Sequence, residues 1–255
     1  MKSREEHMRN FLSGFDIGQK RGIEIGAYDR PVFPRSTYPQ IEYADVFTTD
    51  EIRTSAAQNP KRNADAVVTV DHVLRNEKLS ELIEPGSVDF VFCSHVLEHV
   101  PDLIAELQGI ESILKPGSGL LLCAYPDRRF TFDIDRQPTT IETLRNRHAL
   151  GLKMPDPDTV YDYFVHYRDV FVGKIWQGMP DDRGPRRYTP ELARTKAQLA
   201  TETYVDVHCN IFADREFESL IGGLHASGET GLKMVRFVPT TRPFNEFFFA
   251  LSRSA

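Results

Sequence analysis

Cysteine is scarce in this chain, with three in 255 residues, and no ligand spacing relates Cys93, Cys123 and Cys209. An odd, unpatterned set excludes a disulfide framework. Two of the three lie in apolar runs, as buried reduced thiols do in a reducing cytoplasm. No apolar run approaches the ~18 residues of a membrane span, and the start Met1-Lys-Ser-Arg-Glu-Glu-His lacks the apolar core of a signal peptide. Positive charge is not in surplus: 31 Lys and Arg stand against 37 Asp and Glu, a formal net charge of −6. A nucleic acid as main partner is therefore disfavoured, because phosphate binding needs a concentrated basic surface. With 40% hydrophobic and 27% charged residues the chain is not a disordered one either. These absences leave a soluble, cytoplasmic, globular protein.

What is present is an alternation of strands and helices. Met8, Phe11, Leu12 and Phe15 have helical spacing, and Gly22-Ile-Glu-Ile-Gly26 reads as a short glycine-bounded strand. Residues 41–45 make a second strand, and a polar helix begins at Asp50 and is closed by Pro60. Residues 66–70 make a third strand ending on Asp71. Residues 87–94 form a buried fourth strand, followed by a helical stripe over 95–114, the turn Lys115-Pro-Gly-Ser-Gly, and the apolar strand 120–124. Fully apolar strands alternating with helices imply a parallel sheet covered on both faces. Residues 127–204 are rich in Arg, Asp, Tyr and Pro and contain no parallel-sheet strand, so they carry helices of their own. A helix at 213–227 and strands at 233–239 and 245–252 close the chain as an antiparallel hairpin.

In such a sheet the ligand crevice lies beyond the carboxyl ends of the strands. Glu24-Ile-Gly26 is placed there, and a glycine allows a ligand to approach the backbone. The run Gly26-Ala27-Tyr28-Asp-Arg30 lacks the spaced glycines that a pyrophosphate requires, so NAD and FAD are disfavoured. Asp45 ends the second strand, either as a turn residue or as the acid that takes ribose hydroxyls, and Asp71 ends the third, either facing an adenine amino group or capping the next helix. Ser94 stands at the junction after the fourth strand. His95-x-x-Glu98-His99 matches an inverted zinc-peptidase pattern, but that pattern belongs inside a helix and His95 directly follows a strand, so no metal is expected. In Tyr204-Val-Asp206-Val-His208, two polar side chains two residues apart point the same way, either as a plain polar rim, the favoured reading of the pattern, or as a base and its orienting acid. The segment 127–204 adds Tyr161, Tyr163, His166, Tyr167, Arg168 and Trp176, which suit either a small solvated subdomain or a lid over a polar substrate.

Glu24-Ile-Gly26, Asp45, the stretch Val88-Asp-Phe-Val-Phe-Cys-Ser-His-Val-Leu-Glu-His-Val-Pro-Asp102 and the turn Ile113-Leu-Lys-Pro-Gly117 together resemble a class I S-adenosylmethionine-dependent methyltransferase of the small-molecule subgroup. The resemblance covers about 20–130 and, more loosely, 205–252; Tyr28 replaces a usual glycine. It implies a Rossmann-like, doubly wound seven-stranded sheet ordered 3-2-1-4-5-7-6, with strand seven antiparallel and a helical insert after strand five. It further implies S-adenosylmethionine as cofactor and S-adenosylhomocysteine as product. The methionine end would lie near Gly26, Ala27, Tyr28 and Ser94, the ribose on Asp45, and the adenine near Asp71 and His72. Residues 1–126 and 205–255 would form the cofactor-binding domain and 127–204 a substrate lid. The reaction would be methyl transfer to an oxygen or nitrogen of a small acceptor. His208, oriented by Asp206, is the expected proton acceptor, with His166 and His95 as the other candidates. The stretch 125–133 is similar to methyltransferases found with sugar and polysaccharide biosynthesis. This points to a sugar, nucleotide-sugar or phosphorylated acceptor met by Arg129, Arg136, Tyr163, His166 and Tyr167, in a monomer or homodimer. A cofactor-binding protein without catalysis, and a zinc hydrolase using His95, Glu98 and His99, are the competing readings.

Overall fold

The computed structural model describes residues 3–75, 77–178 and 183–254. Along the chain run α1 (Arg4–Leu12), β1 (Gly22–Ile25), β2 (Ile41–Asp45), α2 (Thr49–Ala57), β3 (His72–Val73), α3 (Leu79–Leu82), β4 (Phe90–Ser94), α4 (Leu103–Ile113) and β5 (Leu120–Pro126). They are followed by α5 (Ile141–Leu150), α6 (Pro157–His166), α7 (Val172–Ile175), α8 (Pro190–Leu199), α9 (Asp214–Ala226), β6 (Leu232–Val238) and β7 (Glu246–Arg253). Seven strands pair in the order β3-β2-β1-β4-β5-β7-β6, as expected, with β7 antiparallel to both neighbours.

The period-2 geometry of the strands sorts their side chains into two cores. On β4, Val91 and Cys93 face α4 and α9, while Phe90 and Phe92 face the layer that holds α1 and Phe33. On β7, Phe247, Phe249 and Leu251 join the first core and Phe248 and Ala250 the second. Both faces being covered, the central strands can be apolar throughout. All three cysteines are buried, and Cys93 and Cys123 sit side by side on paired strands. Among the described residues no helix is long and apolar enough to cross a membrane.

Two expected elements form differently. Residues 66–70 are not a strand: a 3-10 turn occupies Ala64–Ala66, Val68 N–H donates to Tyr28 O, and Val70 N–H donates to Thr49 Oγ1. Pairing with β2 starts only at His72, opposite Ala44. Asp71 therefore precedes β3 instead of ending it. The helix expected over 95–114 is broken. His95 has φ 56°, a single 3-10 turn covers Leu97–His99, and α4 begins at Leu103 with Asp102 accepting from Ala105 N–H. Pro101 explains the break, since the residue before a proline avoids the helical region, and Val100 is extended.

Within 127–204, α5 packs on the main body, with Leu144 in the larger core. Helices α6 and α8 build a separate small core from Val160, Phe164, Val165, Ala193 and Ala200, which is completed by Val207 and Cys209. Proline at the first helical position and an Asp or Thr N-cap start both helices.

Candidate active site

At the carboxyl ends of β1, β2 and β4, where a sheet of this order is expected to hold its ligand crevice, stand Gly26, Asp45 and Ser94. Gly26 follows β1 with φ +73°, and a Cβ there would stand 3.2 Å from Val96 Cγ2, so glycine keeps this approach narrow but open. The glycine-poor loop beyond it is shaped by carboxylates. Buried Glu24 accepts from Val32 N–H at 2.8 Å and Phe33 N–H at 2.9 Å, and buried Asp29 accepts from Arg62 and Asn63 N–H. Burial pushes the Glu24 carboxyl up to about 7 against the pull of the two amides. Tyr28, also at φ 56°, lies under the Arg62 guanidinium. Asp45 ends β2 as expected, accepts from Phe47 N–H at 3.0 Å, and is raised by burial. Next to it Val46 and Phe47 expose about half their surface, an apolar face at the mouth of the crevice.

Asp71 and His72 do not join this group. The Asp71 carboxylate accepts from Tyr43 N–H and from Arg35, and His72 pairs with Glu42 at 2.6 Å. Their side chains are committed below the strand ends, because Asp71 lies at the entrance of β3.

Beyond β4 the chain makes a second cluster. The turn holding Glu98 is clamped from the segment before α9: Cys209 N–H and Asn210 N–H donate to Glu98 O, and the Asn210 amide donates to Leu97 O and Val100 O. This clamp brings His208 beside Glu98. Three histidines converge on Glu98 Oε1, His95 Nδ1 at 3.7 Å, His99 Nε2 at 3.9 Å and His208 Nε2 at 4.0 Å. The far nitrogen of each is held by its own carboxylate: His95 by Glu246 at 2.8 Å, His99 by Asp206 at 2.8 Å and His208 by Asp133 at 2.6 Å. The expected pairing of Asp206 with His208 is thus corrected. Asp206 orients His99, and the orienting acid of His208 is Asp133, 75 residues away in sequence. Burial would raise the Asp133 carboxyl, but His208 and Arg136 outweigh it and hold it below the usual range. Likewise His95 and Arg4 hold the buried Glu246 carboxyl down at about 2. Arg4 also donates to Ser94 Oγ at 2.9 Å, so α1 reaches over the end of β4.

The cluster forms the polar floor of a pocket of about 310 Å³ whose walls include Phe130, Phe132, Val170 and Val172. The residues expected to meet an acceptor are placed otherwise. Arg129 is tied to Asp127 and Asp214, and Arg136 is buried between Asp133, Asp162 and His208 O. His166 turns Nδ1 to Asp162. Tyr163 and Tyr167 pack on Phe132 at centroid distances of 5.6 and 4.5 Å, behind the pocket wall. Asp133, Glu246 and Arg4 were not singled out in the sequence, since their partners lie far along the chain.

A family model described as a methyltransferase domain matches residues 3–167. This chain belongs to the class I S-adenosylmethionine-dependent methyltransferases. The seven-stranded order with antiparallel β7 agrees with it. A 55-residue stretch of this methyltransferase is 42% identical to a ubiquinone biosynthesis O-methyltransferase of Xanthomonas campestris pv. campestris. That alignment covers 22% of this chain and 23% of the relative. Among solved structures, a Rhodobacter sphaeroides protein named among Zn-dependent alcohol dehydrogenases superposes with TM-score 0.52 at 16% identity, over 100% of this chain and 92% of that one. At that identity the likeness is one of fold alone. An S-adenosylmethionine-dependent methyltransferase from Mesorhizobium loti gives TM-score 0.48 at 13% identity, over 98% of each chain.

Proposed function

We propose that this chain transfers a methyl group from S-adenosylmethionine to an oxygen or nitrogen of a small polar acceptor. The observation that carries the reading is the histidine-lined pocket that starts at His95, immediately after Ser94 ends β4, the strand paired with β1. The donor set of that crevice fits the cofactor. The glycine backbone at the end of β1 admits its methionine portion, the Asp45 carboxylate would hold the ribose hydroxyls, and exposed Val46 and Phe47 would cover the adenine ring in place of Asp71 and His72. When bound, S-adenosylmethionine supplies a methyl on a positively charged sulfonium and leaves as S-adenosylhomocysteine. The residues of the chain then have to align the acceptor, exclude water and draw off its proton.

The walls of Phe130, Phe132, Val170 and Val172 favour a ring-shaped acceptor, and the floor of His95, Glu98, His99 and His208 favours one that bears hydroxyls. Among the described residues no guanidinium lines the pocket, and Arg129 and Arg136 are held by carboxylates, which supports a sugar over a phosphorylated metabolite. The relatedness to a ubiquinone biosynthesis O-methyltransferase supports oxygen as the acceptor atom. Residues 127–204, which contribute most of the walls, act as the substrate cover.

Calorimetry with S-adenosylhomocysteine tests the first half: binding at one site per chain is expected, and no binding would overturn the reading. An acceptor screen with labelled cofactor tests the second. His208→Ala should lower turnover by ~10²-fold or more while cofactor affinity stays within a few-fold. Unchanged turnover would remove His208 from the chemistry and move the role to His95 or His166.

A further inference from the structure

Glu98 is the least explained side chain of the molecule. Its carboxylate is 1% exposed and neither oxygen has a hydrogen-bond partner. A buried carboxylate with no donor is costly, by several kcal/mol on the order of the loss of a charged hydrogen bond and its solvation. Donors stand nearby, but the nitrogens at 3.7, 3.9 and 4.0 Å are beyond hydrogen-bond reach. Such a shell around one oxygen leaves a gap of the size of an ion.

We propose that Glu98, His99 and His208 bind a divalent transition-metal ion at the floor of the pocket. One donor atom from each lies within 4.8 Å of the other two. Donors on an ion at ~2.1 Å stand about 3.0–3.4 Å apart, so the two imidazoles, 3.9 and 4.0 Å from Glu98 Oε1, have to close on it by about 0.5–1 Å, and the widest donor pair by up to about 1.8 Å. The half-buried His99 at the pocket mouth can make that adjustment.

The histidines are prepared for the role. Asp206 on His99 Nδ1 and Asp133 on His208 Nδ1 leave Nε2 of each ring turned to Glu98. A carboxylate behind a ligating imidazole fixes its orientation and raises its basicity. Two imidazoles and one carboxylate select a first-row transition ion over magnesium or calcium, and three protein donors leave positions open toward the pocket. His95 stands near the same oxygen but outside the compact donor set, and Glu246 holds it in place. This differs from the inverted zinc-peptidase pattern, which would pair His95 with His99. The ligand of stated class is the acceptor: one that offers an oxygen donor to the open positions. The inference deepens the methyl-transfer reading of the same pocket and rests on it for the acceptor alone.

The test uses the full chain after chelator treatment, titrated with CoCl₂, ZnCl₂ and, as a control, MgCl₂. Expected are one Co²⁺ per chain with a visible absorption band, displacement of Co²⁺ by Zn²⁺, and no heat with Mg²⁺. Glu98→Gln and His208→Ala should abolish the band. Asp133→Asn, which touches no ion, should weaken Co²⁺ binding ~10–100-fold. Absence of the band in the wild-type protein, or a band unchanged in both ligand variants, overturns the proposal and leaves a hydrated histidine cluster. S-adenosylhomocysteine is titrated into the same samples. Its binding without any ion overturns this inference and keeps the methyltransferase reading; an ion bound without it does the reverse. Retained S-adenosylhomocysteine affinity also certifies that each variant is folded.

Discussion

Glu24 carries a buried carboxyl beneath the loop after β1, where the amides of Val32 and Phe33 donate to it. Its folded value of about 7 exceeds the ordinary 4.5, because burial disfavours the charge. The folded protein therefore holds this proton longer than the unfolded chain does. The stabilisation is full below about pH 4.5 and is lost as pH rises through about 7, a change of about 3 kcal/mol. Glu24→Gln should be less stable than wild type at pH 5 by roughly 1–3 kcal/mol, because its amide NH₂ confronts one of the two N–H donors. The gap should narrow by pH 8, as chemical denaturation across pH would show. A constant gap would mean that Glu24 does not titrate in this range. At the cofactor crevice, Asp45→Ala should weaken S-adenosylhomocysteine binding about 10–100-fold, the worth of hydrogen bonds to a charged group; calorimetry reads it. Glu24, Gly26 and Asp45 were visible in the sequence because each sits within one residue of the end of a β-branched strand. Asp133 was not marked as a site residue, since nothing local connects it to His208 across 75 positions.

Elements were legible where apolar pattern and punctuation agreed. Strands β1, β2 and β5 fall within a residue or two of the stretches read from the sequence, and β4 starts three residues later than read. β3 and the start of α4 did not, for two different reasons. The backbone of 66–70 donates to Tyr28 O and Thr49 Oγ1, partners that no local pattern announces. The apolar spacing of Val96, Leu97 and Val100 continues a helical stripe, yet Pro101 forbids the helix, and a conformational veto outranks periodicity. At this scale β1 and β4 make a testable contact. A Cβ on Gly22 would stand 2.1 Å from Phe90 Cζ, and Phe90 is fully enclosed. Gly22→Ala should cost about 1–3 kcal/mol by overpacking, read as a lower urea midpoint at unchanged slope. An unchanged midpoint would mean that the ring has room to move.

For the whole molecule, the proposed cofactor and acceptor sites both belong to the carboxyl ends of strands of one sheet, and ligand binding should be felt by the entire fold. S-adenosylhomocysteine at ~100 times its dissociation constant should add about 2.7 kcal/mol, because it binds the folded state alone. For a chain of this size that raises the melting temperature by roughly 5–10 °C. No shift at saturating ligand would contradict the proposed crevice. α1 takes part in this unity: Arg4 spans 242 residues to Glu246 and also meets Ser94, so the first helix, the fourth strand and the last strand close over one edge.

The sequence by itself determined the strands β1, β2, β4 and β5 and the helical character of the stretch after β5, and the strand order followed from the family resemblance. The strands and helices follow from local pattern: apolar strand runs, helical periodicity and glycine or proline punctuation. Only the tertiary structure decided which acid holds which histidine, that Arg136 and Arg129 are braces within the protein, and that Glu98 lies buried among three imidazoles. These are contacts between residues that the chain separates by up to about 150 positions. They are set by how the 205–211 segment docks beneath the turn after β4, and sequence spacing does not encode that docking.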